Sequence, residues 1–568
     1  MKDLRILSLA KQWAHDNTFD LNTRLEIQNL LDNNRCDELT DRFYKTLEFG
    51  TGGLRGIMQA GTNRINKYTL QAAVQGLCHF ISRFLDTHSE RQERGVCIAY
   101  DSRNNSQSLA FAAAEVLAAN NIKAYIFNTL RPVPELSFCI RYKKAIAGIC
   151  ITASHNPPKY NGLKVYFKDG AQITHPIVAQ ISAEINKING LSAVSSMTKE
   201  TAIEKGLIEI IGEQEDNAYL KEILKQSIRQ PSDNITIVYS PIHGAGYEII
   251  PKVLNLRGFS KVITVKEQMT PDGNFPTVKV PNPEEKESLT MALNYAKTNN
   301  SDIFIATDAD SDRIGLGVKS KNNDYVLLNG NQIGALLCDY ILNGLKDTGK
   351  LPKQNGAVVT TIVTTPLINE IARAFGIECI TLLTGFKYIG RWINDNPQRE
   401  FIFGCEESYG YLRGTYTRDK DAVLAASLIC EMASYYNTAN SSILERLNQI
   451  YSTHGYYEEE LYTFEMEGQN GALRIKTVMD KLRTNAHKNP VPKLNLTHVN
   501  DYAQSIGGLP TSDVLEFNFD DNTRISIRPS GTEPKLKIYI CVKGSDYNDC
   551  RLKIENVQTS FIESINAL

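Results

Sequence analysis

This 568-residue sequence has little net charge: basic and acidic residues are interspersed and nearly cancel, at −2. No long-range field would hold a nucleic acid or an anionic membrane, so any anion must be met by local groups. Cysteine pairs in CxxC spacing are absent, and the eleven cysteines are odd in number, which speaks against a disulfide framework or a zinc ribbon. A reducing cytoplasm fits that usage. No apolar run approaches the length of a membrane span, and the start, MKDLRILSLAKQWAHD, is charged in every turn and lacks a signal core. Neither a membrane nor a nucleic acid is expected as a partner. No GxxxxGK[ST] loop occurs, so ATP is not implied. What is present is ordinary for a globular chain, 42% apolar and 22% charged residues. The length suits about three or four domains.

In chain order, residues 1 to about 40 place Leu4, Leu7, Leu21, Leu25, Leu30 and Leu31 at helical spacing among charges. Two amphipathic helices are expected there. Gly95–Asp101 then reads as a strand with a capping aspartate, followed by an alanine-rich helix over Ser106–Ala119. A strand near Ala124–Phe127 and another over Ala145–Ile151 continue the α/β alternation. The same strand, turn and helix opening recurs at Asn234–Gly246 and at Gly356–Pro366. Three α/β domains follow from that recurrence, with joints expected near 190–200, 319–324 and 437–442. Period-two alternation over Val514–Phe519, Arg524–Ile527 and Lys535–Ile540 instead predicts an antiparallel α+β domain at the end.

Five constellations carry chemistry. Ser154 ends the Ala145–Ile151 strand, in Thr152-Ala153-Ser154-His155-Asn156-Pro157-Pro158; two prolines cannot continue a ladder, so the chain must leave the sheet and expose the hydroxyl. In isolation this is a capping turn. Asp308, Asp310 and Asp312 alternate on the loop after a strand, and a cation must offset their repulsion. An EF-hand is excluded because Arg313 and Lys319 occupy its glycine and glutamate positions, so a magnesium ion shared with a phosphate suits three carboxylates better. Arg313 would add a phosphate contact. Thr384–Gly390, with Lys387, and Gly404–Gly410, with Glu406 and Ser408, could bind an anion and vicinal hydroxyls, or be a solvated lysine and an acidic cap. Arg528-Pro529-Ser530-Gly531-Thr532 after a strand makes a phosphate cradle. Glu48–Ile57 sets four glycines around Arg55 and reads as an anion site or a mobile turn.

TASHNPPKYNGLK, DADSDRIG, TGFKYIG, GCEESYG and RPSGTEPK, in this order, resemble the α-D-phosphohexomutase superfamily of phosphoglucomutases and phosphomannomutases. The resemblance runs from about Glu48 to the end, and EFGTGGLRG is most similar to the phosphoglucomutase branch that includes phosphopentomutases. It implies a fold of three similar mixed α/β sheet domains and a smaller α+β C-terminal domain around a central cleft. The expected bounds are a helical extension (1–40), domain I with the phosphoserine loop (41–205), domain II with the metal loop (206–322), domain III with the sugar loop (323–445) and domain IV with the phosphate loop (446–568).

The resemblance further implies a mutase that exchanges the 1- and 6-phosphates of a hexose, glucose before mannose or a pentose. Ser154 would carry the phosphoryl group, and a sugar bisphosphate such as glucose 1,6-bisphosphate would be intermediate and activator. Mg²⁺ would rest on Asp308, Asp310, Asp312 and Ser154. Arg55, His155, Lys164 and Arg313 would surround the transferred phosphate, with Lys164 the proton acceptor if neighbouring cations lower its pKa. Glu406 and Ser408 would hold hydroxyls; Lys387, Arg528, Ser530, Gly531 and Thr532 would hold the other phosphate. A phosphatase and an inert sugar-phosphate binder are the rival classes. The only partner expected is a small phosphosugar, and the chain is expected as a monomer or dimer.

Overall fold

The computed structural model describes residues 4–50, 52–87, 95–188, 190, 193–465, 468–486, 488–530 and 535–566. Three helices precede the first sheet, Leu4–His15, Leu21–Asp32 and Cys36–Phe43, where two were expected. The third is masked in the sequence by its charges, yet Leu39 and Phe43 on it are buried, and the guanidinium of Arg42 is held by Glu26 and Glu38. The leucine spacing finds only part of the buried face: Leu30 lies in the core cluster and Leu7 and Leu31 pack against it. Trp13 stacks on Phe19 at 4.3 Å and joins Ile6, Ile27, Phe43 and Tyr68 in one cluster, while Leu4, Leu21 and Leu25 stay exposed.

The chain forms two compact units. The first comprises residues 1–227, 236–315 and 415–427. Its larger sheet runs Gly53–Ile57, Tyr160–Phe167, Ala147–Ile151, Gly95–Tyr100, Lys123–Phe127, Ile208–Ile211. The last four strands are parallel and the first two antiparallel to their neighbours. Gly95–Tyr100 and Ala147–Ile151 are wholly buried, as continuous apolar runs between helices should be. The expected Ser106–Ala119 helix forms with those bounds. A second sheet centres on Ile237–Ser240, parallel to Val262–Thr264 and to Ile303–Thr307. Both sheets thus deliver strand ends to loops that bear the candidate residues.

The second unit comprises residues 228–235, 316–414 and 428–568. Gly356–Thr361 lies between the parallel strands Glu378–Leu382 and Glu400–Glu406, and Gly410–Leu412 closes that sheet antiparallel. The stretch 319–324, expected as a joint, is the turn of a hairpin: Lys319 faces Tyr325, and Asn323 supplies the left-handed residue such a turn needs. The final domain is the expected antiparallel sheet, in the order Tyr456–Glu465, Lys535–Gly544, Arg524–Pro529, Leu515–Phe519, Leu496–Asp501. Among the described residues no helix is long and apolar enough to cross a membrane.

The core of that last sheet packs against the helix Tyr547–Asn566, with Phe517 fully buried and 6.1 Å from Phe561. Phe517→Ala should cost about 3–5 kcal/mol through lost burial and a residual cavity, read by urea unfolding of the purified variant. A cost below about 1 kcal/mol would mean that this sheet is not held by its apolar face.

Candidate functional site

Ser154 stands at the turn after Ala147–Ile151 and takes a left-handed backbone, φ 51°, which costs a non-glycine residue on the order of 1–3 kcal/mol. The turn had been expected to expose its hydroxyl, but Ser154 is only 3% exposed. The reason is that the turn folds inward. Arg103 receives its carbonyls, Thr152 Oγ1 accepts from Ser154 N at 2.7 Å, and the aspartate loop covers it. Ser154 Oγ lies 3.2 Å from Asp308 Oδ2 and 3.3 Å from His155 Nδ1. Arg55 reaches the same turn from the edge strand Gly53–Ile57, donating to Asn156 Oδ1 at 2.9 Å.

Asp308, Asp310 and Asp312 leave the buried strand Ile303–Thr307 and bring one oxygen each within 4.8 Å of one another. All three are buried. Burial, then Asp310 and Asp312, push the Asp308 carboxyl well above the usual carboxylate range. Each carboxylate spends one oxygen on the protein. Asp308 Oδ1 accepts from the backbone N–H groups of Asp312 and Arg313, Asp310 Oδ2 from Lys164 at 2.8 Å, and Asp312 Oδ2 from Lys420 at 2.7 Å. Among the described residues, Asp310 Oδ1 and Asp312 Oδ1 find no hydrogen-bond partner although both are buried. Two orphaned carboxylate oxygens beside Asp308 Oδ2 fit a hard cation, and the all-oxygen donor set suits magnesium. The loop is braced from behind by Pro241–Gly246, where a Cβ on Gly244 would lie 2.7 Å from Asp308 O.

Lys164 comes from the strand Tyr160–Phe167 beside that of Ser154. The proton-acceptor role is conditional on neighbouring cations lowering its pKa; burial does press it down, but Asp310 and Asp312 outweigh that and raise it, so the condition is not met. It therefore stands as an ammonium that offsets the carboxylates. Arg313 pairs its guanidinium with Glu284, and its Nε lies 3.9 Å from Asp312.

Lys420 was missed in the sequence, where it sits in Thr417-Arg418-Asp419-Lys420-Asp421, indistinguishable from a solvated charge run. It reaches Asp312 because residues 415–427 return to the first unit. There Tyr166 donates to Asp419 at 2.8 Å, Tyr219 to Asp421 at 2.8 Å, and Thr417 to the carbonyl of Pro134 at 3.1 Å. Thr152 was also missed, and its hydroxyl lies 2.7 Å from Asp101 and 3.2 Å from Asp310.

The second unit holds the other candidates. Glu406 ends the strand Glu400–Glu406 and accepts from Gly385 N at 2.7 Å, which joins the two glycine-bounded loops. Ser408 is on the hairpin tip that follows, where Tyr409 is left-handed. Lys387, in the first turn of Phe386–Asp395, is pressed down to about 8 by burial and by Arg528, with Glu406 opposing. Arg528 lies on Arg524–Pro529, and Ser530 N donates to Lys535 O at 2.7 Å. Lys387 and Arg528, both half-buried, are thus two cations close enough to feel one another, the setting of an anion site. Gly531 and Thr532 lie outside the described residues.

Family models match four successive stretches: phosphoglucomutase/phosphomannomutase alpha/beta/alpha domains I at 46–191, II at 217–321 and III at 329–451, and the C-terminal domain at 478–553. Over 556 residues the chain is 32% identical to a phosphoglucomutase of Staphylococcus epidermidis, covering 95% of this chain and 99% of that one. A Staphylococcus aureus phosphoglucomutase is 33% identical over 530 residues, 91% of this chain and 93% of the other. Among solved structures, a putative phosphomannomutase from Thermus thermophilus matches with a TM-score of 0.67 at 20% identity, over 91% of this chain and 99% of that one. The Paramecium phosphoprotein pp63/parafusin matches at 0.69 and 18%, over 92% and 95%. At these identities the structural likeness is one of fold.

Lys387 carries its proton below about 8 and loses it above. Affinity for sulfate, whose charge does not change over this range, should fall several-fold as pH rises from about 7 to about 9. Lys387→Met should bind more weakly with no such limb. Calorimetric titration reads both, and an identical limb in the variant would assign it to another group.

Proposed function

Because the chain belongs to the phosphoglucomutase/phosphomannomutase family and is a hexose phosphate mutase, we propose that its hexose is glucose and that Ser154 relays the phosphoryl group. The observation that carries the relay is the position of Ser154 Oγ, 3.2 Å from Asp308 and beside two buried carboxylate oxygens without hydrogen-bond partners. The glucose reading is supported by the named activity of the relatives that span nearly the whole chain.

In this reading the phosphorylated Ser154 faces the free C6 hydroxyl of glucose 1-phosphate. The Oγ–P bond breaks as the sugar O6–P bond forms, and the hydroxyl proton passes to a basic group of the site. The product is glucose 1,6-bisphosphate. After it turns around, Ser154 Oγ takes the C1 phosphate, leaving glucose 6-phosphate and the phosphoserine restored. A relay is required because C1 and C6 lie on opposite sides of the ring and cannot both meet one donor at once. Asp308, Asp310 and Asp312, with a phosphate oxygen on Ser154, would hold magnesium, which when bound neutralises charge on the transferring oxygens.

Arg55, His155, Lys164 and Lys420 surround that position, and we assign them to orienting the phosphoryl group and the aspartates; Arg313 orients Asp308 through its backbone N–H. Glu406 and Ser408 hold sugar hydroxyls. Lys387, Arg528, Ser530, Gly531 and Thr532 take the phosphate not being transferred, which the paired cations Lys387 and Arg528 support. In this reading the enzyme works on a small phosphosugar in the cytoplasm.

Ser154→Ala should abolish turnover of glucose 1-phosphate while the melting curve stays that of the parent, because only the relay hydroxyl is removed. Native mass should show one added phosphoryl group on the parent and none on the variant. Substantial turnover by Ser154→Ala would sink the relay. Asp310→Asn should raise the Mg²⁺ concentration for half-maximal rate by about tenfold or more, and chelation should silence the parent until Mg²⁺ returns. Higher kcat/KM for mannose 1-phosphate or ribose 1-phosphate than for glucose 1-phosphate in a coupled assay would overturn the choice of sugar.

A further inference from the structure

Behind the Ser154 turn lies a cation that touches none of the aspartates' ion-binding oxygens. Arg103, just after the strand Gly95–Tyr100, is buried together with its partner Asp101, its Nε 3.3 Å from Asp101 Oδ2. Its two terminal nitrogens serve four backbone carbonyls of one turn. Nη2 donates to Ser154 O at 2.5 Å and to Asn156 O, and Nη1 to Pro157 O at 2.9 Å and Tyr160 O at 3.1 Å. Four carbonyl dipoles aimed at one point repel one another, so the turn closes only around a charge of this shape. Phe275, fully buried and itself left-handed, caps the guanidinium with its ring 5.2 Å away. That cap comes from the segment containing Gly273, which packs so closely on Asn104 that a Cβ there would lie 2.2 Å from Asn104 N.

We propose that Arg103 is the positioning residue of the relay: it holds the carbonyls of residues 154–160 inward and so keeps Ser154 in the left-handed backbone that aims its hydroxyl at Asp308. The inference rests on Ser154 being the relay. Its action is on transfer and not on sugar binding, since it works through backbone on the far side of the turn. The planar fork matters as much as the charge. A lysine in its place keeps the charge but is a point donor on a flexible stem and cannot span four acceptors.

Arg103→Lys and Arg103→Met are compared with the parent in steady-state turnover of glucose 1-phosphate, with glucose 1,6-bisphosphate and Mg²⁺ present, and in thermal unfolding. Misplacing the reacting hydroxyl by about an ångström should lower kcat roughly 30- to 100-fold in both variants, with KM and the half-saturating Mg²⁺ concentration within about threefold of the parent. Arg103→Lys should recover melting temperature relative to Arg103→Met without recovering kcat, a split that a purely structural arginine would not give. Parent-like kcat in folded Arg103→Lys, or kcat that tracks melting temperature across the two, would overturn the proposal.

If neither variant folds, Phe275→Leu decides. It loosens the cap while keeping apolar volume and should lower kcat about 3- to 10-fold at unchanged KM, whereas parent kcat there would refute the positioning role. Ser154→Ala is run alongside: turnover by it removes the relay itself, while an inactive Ser154→Ala beside a parent-like Arg103→Lys removes only the part given to Arg103.

Discussion

Three carboxylates buried within a few ångströms of one another are the constraint to which the first unit is built. Isolated, such a cluster would protonate or pull apart, because burial and like charge both oppose ionisation. The fold answers with ammonium groups from two distant segments, Lys164 and Lys420, and with the backbone N–H groups of Asp312 and Arg313. Each answer uses up one side of a carboxylate; of the other oxygens, Asp308 Oδ2 meets the Ser154 hydroxyl and those of Asp310 and Asp312 are left, among the described residues, without a hydrogen-bond partner. What counters the charge therefore also decides which oxygens remain for a ligand.

The second unit meets the opposite problem with the same tools. Lys387 and Arg528 are two half-buried cations, and Glu406 opposes their effect on the Lys387 proton only in part. Nearby, Glu407 is pushed up to about 7 by burial and by Glu406. A site that sets two like cations beside hydrogen-bonding carboxyls is matched to a ligand with a phosphate at one end and hydroxyls along its length.

How much of this could be read from the residues alone depended on how locally each feature is encoded. Motif loops at strand ends were legible because glycine, proline and aspartate constrain the backbone within a few residues; the strands and the Ser106–Ala119 helix followed from apolar periodicity. Features set by distant partners were not. The inward fold of Ser154 depends on Arg103, 51 residues upstream in sequence, and reads locally as an exposed turn. Lys420 looks like solvent-facing charge until Tyr166 and Tyr219 draw its neighbours back. The condition set for Lys164 as proton acceptor, a pKa lowered by cations, is not met because the nearest charges are aspartates. On the N-terminal helices, leucine spacing found Leu7, Leu30 and Leu31 but also took in the exposed Leu4, Leu21 and Leu25, because Trp13 and Phe19 fill the centre of the cluster.

The return of residues 415–427 has a consequence for how this architecture can be taken apart. Four sequential domains suggest beads that could be expressed, duplicated or exchanged one at a time. Yet a lysine of the metal loop's surroundings is encoded far downstream of the loop itself, within a segment that follows the third domain's strands. A fragment ending after the second domain would keep every aspartate and the serine, and still leave Asp312 without the nearer of its two ammonium partners and Tyr166 and Tyr219 without their acceptors. The aspartate loop and the segment that completes its charge balance therefore have to be kept on one chain for the first unit to form as it stands.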